Sequence, residues 1–226
     1  MNVEFCIMKN YTEDQLEDNY NKFIKLIESS FTGDRLEKLL KLYGEEEYGY
    51  RLTISPAAFK DYVGYCYPGG YLDLIFNLHK AAIGTKKLWE MVGCIIDFSD
   101  EELIFSVMGC NLGLLGDKDC GEYFVVNDND WRIKNMGELY KINSELQHML
   151  VSDRSLYILQ KYNINMTGKE YLAIRLNNGM YNEGNKSYLY NFSKDMDLKT
   201  NLPHILHQAG FLAYKVGSDC YKQENS

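Results

Sequence analysis

The chain has 226 residues, of which 46% are hydrophobic and 25% charged, and its formal net charge is −8 at pH 7. This length and apolar content suffice for a sizeable core in one domain, and no Pro-rich or Gly/Ser-rich linker divides it. No block of Lys or Arg stands out, which argues against a duplex nucleic-acid surface because phosphate neutralisation needs clustered cations. The chain shows neither a leader pattern nor an apolar run near the roughly 20 residues that cross a bilayer. We therefore expect a cytoplasmic protein without a membrane segment.

The cysteines give no sign of a structural metal. There are six of them, and none forms a CxxC or CxxH pair: Cys6, Cys66, Cys94, Cys110, Cys120 and Cys220. Zinc ribbons need such paired spacing, so that interpretation has no basis. In a cytoplasmic chain, free thiols are the expected state.

Apolar spacing predicts helices along most of the chain. They are expected from Thr12 to about 31, from 34 to a stop at Gly44, over 71–93, from Ser99 into 109–117, over about 153–163 and 168–177, and from about Leu202 onward. Three have a capping box at the start, with Thr12 and Gln15, Ser99 and Glu102, and Thr167 and Glu170. The first two helices should pack as an antiparallel pair.

The other segments contain the turn and strand signals. Residues 50–69 are predicted to be irregular, 122–126 ("EYFVV") to form an extended strand or hairpin arm, and 179–198 to form a loop. Asp153 is expected to cap its helix and Asp117 to occupy a turn. The prediction is a mainly α fold, a helical bundle with a short β-hairpin or extended arm.

Five motifs follow one another in an order that is more specific than any of them alone. They read "PGGYLDL", "GCNLGLLGD", "DRSLYILQKY", "EYLAIRLNNGMY" and "NLPHILHQAGFLA". Together they resemble the HD-domain metal-dependent phosphohydrolases, most closely a phage-encoded branch, from about Arg35 to Val216. The resemblance implies a single HD-like domain over 1–226, with an N-terminal helical extension (1–34), a core (35–216) and a tail (217–226).

In that family His and Asp side chains hold one or two divalent metals, which activate water for the hydrolysis of nucleotide phosphate esters. The positions that match those ligands carry other residues here: Leu74 for the first His, Cys110 and Asn111 for the His-Asp pair, Asn177 and Asn178 for the next His-Asp, and Gly210 for the last Asp. Neutral amides and one thiol are poor ligands for a hard divalent ion. The resemblance therefore predicts a kept scaffold with no catalytic residues, no metal and no cofactor.

The resemblance also implies a pocket at these positions, with His207 beside it. It brings a cluster of cationic and aromatic side chains near that pocket: Lys118, Trp131, Arg132, Lys134, Arg154 and Arg175. Such groups suit the phosphate and base of a nucleotide. The alternative is that they are solvated surface charges. The two interpretations are balanced for Arg132 and Arg175, and the surface interpretation is favoured for the others.

Other candidate groups have plain structural interpretations beside the chemical ones. Cys110 could be a soft metal ligand or a nucleophile, but the favoured interpretation is a small thiol packed against its neighbours. His204 and His207 lie three residues apart, which suits a metal, although hydrogen-bonded structural roles are favoured. Four acidic residues could together replace the lost metal ligands, but a structural role is favoured for each of them: Asp73, Asp117, Asp153 and Glu183.

Three functions remain open at this point. The leading one is an inactive HD-fold protein that binds and sequesters a nucleotide-like ligand, such as an immune second messenger in the host cytoplasm if the chain is phage-encoded. The second is a regulatory or structural pseudoenzyme that acts through protein contacts, with a homo-oligomer as one form. The third is a residual phosphohydrolase with relocated metal ligands.

Overall fold

The computed structural model describes residues 10–190 and 194–224, and most of this part is helical. The helices are α1 (Glu13–Ser30), α2 (Gly33–Leu42), α3 (Tyr50–Ile54), α4 (Gly70–Met91), α5 (Asp100–Cys110), α6 (Asp130–Met136), α7 (Val151–Lys161), α8 (Gly168–Leu176), α9 (Lys186–Leu189) and α10 (Leu202–Glu224). The strands β1 (Phe124–Val126) and β2 (Tyr140–Ile142) form a small antiparallel sheet. The prediction of a mainly α fold is confirmed, and the extended segment expected at 122–126 contains β1, which pairs with β2 across the segment that holds α6.

Side-chain caps explain where several helices begin. The capping boxes of α1, α5 and α8 are all present, with side chains of Thr12, Ser99 and Thr167 accepting from backbone amides three residues on. The predicted cap of α7 is wrong. Its N-cap is Leu150, and Asp153 lies inside the first turn, where a carboxylate still complements the helix dipole.

The structure differs from the prediction in two polar segments. Within 50–69, expected to be irregular, the chain forms α3 directly after a π-helical turn at Glu45–Gly49. The segment after β1 contains α6, which begins because the Asn129 side chain accepts from the backbone amide of Arg132 at 3.1 Å. The predicted loop at 179–198 includes α9 and short 3-10 turns.

The hydrophobic core runs through nearly the whole described chain, from Phe23 in α1 to Ala213 in α10. The helix α2 returns along α1, as expected, and Tyr20 of α1 donates to the carbonyl of Tyr43, just past α2, at 3.1 Å. The N-terminal helix therefore belongs to the same core as the rest. None of the described helices is long and apolar enough to cross a membrane.

The long helices α4 and α10 pack against each other in opposite directions. Near the end of α4, Trp89 donates to Gln208 of α10 at 2.8 Å, and just before α4 the Tyr65 hydroxyl donates to the carbonyl of Ala213 at 2.7 Å. The helices α5 and α8 also pack on each other and on α10. This three-helix contact positions the candidate site.

Candidate functional site

A cavity of about 210 Å³ lies where the ends of α5 and α8 meet the middle of α10. Its lining consists of Leu78, Cys110, Asn111, Asn177, Asn178, Tyr181, Leu206, His207, Gly210, Phe211 and Tyr214. Six of these were candidates from the sequence: Cys110, Asn111, Asn177, Asn178, His207 and Gly210. They come from three segments that are distant in the chain, and the fold brings them around one space.

The helix α10 contributes one face to the cavity. His207, Gly210, Phe211 and Tyr214 are spaced by three, four and seven residues, so they lie on the same side of the helix. A Cβ built on Gly210 would meet no atom within 4 Å. The glycine therefore keeps open the part of the cavity that a larger side chain would enter.

The glycine-rich turn after α5 places Asn111 beside the cavity. The amide of Gly113 donates to the Ser155 hydroxyl of α7 at 2.8 Å, and a Cβ on Gly113 would lie 2.3 Å from the carbonyl oxygen of Val151. Only glycine permits this close approach of the turn to α7. The sequence motif "GCNLGLLGD" thus has a packing role that fixes the end of α5.

Hydrogen bonds connect the three walls of the cavity. The Asn177 amide Nδ2 donates to the carbonyl of Cys110 at 3.1 Å, and Nδ1 of His207 lies 2.8 Å from the carbonyl oxygen of Asn177. A carbonyl oxygen only accepts, so Nδ1 carries the proton, and Nε2 of the neutral ring is left as an acceptor. The side chains of Asn177 and His207 are therefore held in defined orientations.

Arg175 supports this arrangement from outside the cavity. Its guanidinium donates to Asn185 at 3.0 Å and pairs with Asp153 of α7 at 3.2 Å. Asn185 in turn donates to the carbonyl of Gly179 at 3.0 Å, and Gly179 lies against the His207 ring. Arg175 is thus a positioning residue for the turn that follows α8.

Cys110 has the properties of a packed thiol. The side chain is buried, and its Sγ donates to the carbonyl of Val107 at 3.5 Å. Burial raises the pKa of the Cys110 thiol to about 12. The thiol is therefore protonated near neutral pH, whereas a nucleophile or metal ligand acts as thiolate.

The donors at the cavity do not fit the divalent metals of the resembled family. Among the described residues, the polar groups of the lining are neutral amides, a protonated thiol and the imidazole of His207, and none of these residues carries a carboxylate. The ring of His204 instead stacks on Trp89, with centroids 6.3 Å apart. The part of the chain that the structure describes contains no cluster of three His, Cys, Asp or Glu placed to hold a metal ion.

The candidates for a substitute acidic site are engaged separately. Asp73 accepts from the hydroxyls of Tyr11 and Tyr67 at 2.8 Å, at the start of α4. Asp153 pairs with Arg175, as described above. The roles of these two carboxylates are to hold neighbouring elements together.

Most of the predicted cationic candidates lie away from the cavity lining. The Lys118 ammonium is 2.5 Å from Glu47, and the guanidinium of the buried Arg154 donates to the carbonyl of Gln147 at 2.7 Å. Glu47 is far from Lys118 in the sequence, and the partner of Arg154 is a backbone atom. The local sequence therefore did not indicate either contact.

The remaining candidates are also placed elsewhere. Trp131, Arg132 and Lys134 belong to the exposed helix α6, and Arg132 pairs with Glu138 at 2.9 Å. Leu74 is fully buried in the core and does not reach the lining. The cavity is therefore open even though leucine stands at the first family position.

Sequence reasoning missed five lining residues: Leu78, Tyr181, Leu206, Phe211 and Tyr214. Helical spacing from His207 could have identified Phe211 and Tyr214, because they lie one and two turns further along the same face. Tyr181 follows a 3-10 turn after α8, and no pattern in the sequence places it there.

Comparison of the chain with protein-family models, with curated proteins and with solved structures finds no match. The resemblance to HD-domain phosphohydrolases therefore rests on the five motifs alone and stays a prediction.

Proposed function

We propose that the chain is a non-catalytic protein of HD-domain type that binds a nucleotide-like ligand in the cavity between α5, α8 and α10. One observation carries the proposal. Five of the six positions that match the family's metal ligands, at 110–111, 177–178 and 210, line a single cavity although they come from three distant segments of the chain. If the motifs matched the family only by chance, there would be no reason for these positions to lie around the same cavity.

The chemistry of the lining favours holding a ligand over converting it. Hydrolysis of a phosphate ester in the resembled family needs a metal that lowers the pKa of water. The amides, the protonated thiol and the single imidazole of His207 are a poor set of ligands for such a metal, so the lining provides no metal-activated water. A ligand that enters this cavity is therefore released unchanged.

The size of the cavity limits what enters it. Pockets for drug-sized ligands are roughly 300–1,000 Å³, so a cavity of about 210 Å³ suits a single ring system. We place the base of the ligand inside and its sugar and phosphate at the mouth. If the chain is phage-encoded, it would sequester an immune second messenger in the same way, with the base of the messenger bound inside the cavity.

Calorimetric titration with nucleosides, linear nucleotides and cyclic dinucleotides tests this function. We expect saturable binding of one ligand per chain, and recovery of the intact ligand after incubation with magnesium or manganese. Saturable binding of none of these compounds overturns the binding function. Turnover of any of them contradicts the non-catalytic assignment.

A second function, contact with another protein, is favoured by an exposed apolar cluster at the end of α4. Its members are Leu88, Met91, Val92 and Ile95, which are 52%, 77%, 66% and 77% exposed. Contiguous exposed apolar side chains are typical of interaction sites. Sedimentation analysis of the wild type and of Met91→Lys tests this function, which predicts an oligomer that the lysine dissociates.

A further inference from the structure

We infer that the cavity selects an uncharged planar ring that presents N–H donors, and that Asn177 and His207 determine this specificity. The inference rests on the proposed binding function. It specifies in addition that the bound part of the ligand donates hydrogen bonds to the cavity. It assigns the cavity to the base and excludes an anionic phosphate from it.

Two helix C-termini meet at the cavity. Asn111 and Asn177 are the C-caps of α5 and α8, and both line it. The carbonyl ends of helices carry partial negative charge, which favours donors and disfavours anions. Among the described residues, none that lines the cavity is a lysine or an arginine that could offset this field.

The Asn177 side chain leaves one acceptor unused. Its Nδ2 faces the Cys110 carbonyl, which can only accept, so the orientation of the amide is settled. The opposite atom, Oδ1, is buried and has no hydrogen-bond partner within the described residues. A buried polar atom without a partner costs roughly 1–3 kcal/mol, and a bound donor recovers this cost where the lining shifts enough to admit it to Oδ1.

His207 supplies a second acceptor. Because its Nδ1 donates to the carbonyl of Asn177, Nε2 of the neutral ring has a lone pair. Two residues of the cavity lining thus carry an acceptor: Nε2 of His207 and the enclosed Oδ1 of Asn177. An exocyclic amine or a ring N–H group matches this polarity, and a phosphate oxygen does not.

Aromatic side chains provide the surface for a planar ring. Tyr181, Phe211 and Tyr214 line the cavity, and the ring centroid of Tyr181 lies 6.1 Å from that of His207. Flat apolar faces and a few fixed polar atoms are typical of sites that recognise heteroaromatic bases. An amino-substituted purine combines the ring with the donors.

Adenine and 6-methylpurine form a matched pair of probes, because they differ by an amine against a methyl group of similar size. We expect adenine to bind at least about tenfold more tightly, the effect of one hydrogen bond in a desolvated site. In Asn177→Leu and His207→Asn this ratio should fall towards one, while 6-methylpurine keeps its affinity. The asparagine at 207 can still donate to the Asn177 carbonyl but lacks an atom at the Nε2 position.

The outcomes separate the inference from the proposed function. Equal binding of the two bases by the wild type overturns the inference and leaves the binding function intact. Binding of inorganic phosphate in competition with adenine, or an unchanged ratio in both variants, also overturns it. If neither base nor any nucleotide binds, the proposed function fails as well.

Discussion

The imidazole of His207 lies directly against the backbone of Gly179. A Cβ on residue 179 would come within 2.4 Å of both Cε1 and Nε2 of the ring, and Gly179 has φ of +52°. Both facts require glycine, the first because of space and the second because of backbone conformation. The turn after α8 therefore fixes the position of His207 on α10.

Replacing Gly179 with alanine should destabilise the protein and displace His207. We expect a loss of about 2–4 kcal/mol in the free energy of unfolding, the sum of backbone strain and overpacking, and at least tenfold weaker ligand binding. Gly33→Ala is the matched control, because φ there is +59° and a Cβ would meet no atom within 4 Å. Denaturant unfolding of both variants gives the difference. Equal losses would show that the contact with His207 has no energetic role.

Filling the cavity from α10 should abolish binding without unfolding the protein. A leucine at Gly210 has room for its Cβ and extends into the space that the ligand would occupy. Gly84→Leu is the control, since Gly84 is exposed in α4 and its Cβ also meets no atom. Both changes should raise helix propensity by roughly 1 kcal/mol. Titration should show binding lost only in Gly210→Leu, and retained affinity there would place the ligand elsewhere.

The thiol of Cys110 should resist alkylation. Burial raises its pKa to about 12, so the thiol stays protonated at pH 8, and the side chain is enclosed in the core. The exposed thiols of Cys94, Cys120 and Cys220 serve as internal controls and should react readily. Cys6 lies outside the described residues. Mass spectrometry after timed iodoacetamide treatment measures each site, and fast labelling of Cys110 would contradict its assignment as a packed thiol.

An ion pair between α2 and α8 should matter to the stability of the site. Arg35 contacts both carboxylate oxygens of Glu170, at 2.7 and 3.1 Å, and the Glu170 side chain is fully buried. Arg35→Met leaves that charge buried without its partner, which should cost about 3 kcal/mol. Lys38→Met, in the same helix, breaks only a surface pair with Asp34 and should cost below about 0.5 kcal/mol. Thermal unfolding of both variants measures the contrast, and similar Tm values would contradict the role of Arg35.

Local sequence patterns predicted the helices well where capping and apolar spacing agreed. The boxes at Thr12, Ser99 and Thr167 all formed, because their hydrogen bonds lie within one turn. The short helix α6 was missed because it has only seven residues and none of them is buried, so it is too short to show a clear apolar periodicity. At Asp153, residue type suggested a cap, but α7 had already begun at Val151.

Part of the cavity lining was also predictable from the sequence. Cys110, Asn177 and Gly210 were found by matching motifs, which preserve positions along a scaffold. Arg132 and Lys118 pair with Glu138 and Glu47 away from the cavity lining; the sequence had left the surface interpretation open for Arg132 and favoured it for Lys118. The partner of Lys118 lies 71 residues away in the sequence, where no local pattern indicates it.

A crystal structure of the protein with an adenine-bearing nucleotide tests the central claim most directly. We predict the base inside the cavity, with an N–H donor about 3 Å from Oδ1 of Asn177, and the phosphate at the mouth in solvent. The ligand should be intact. A phosphate inside the cavity, or a metal ion held there by Cys110 and His207, would contradict the account.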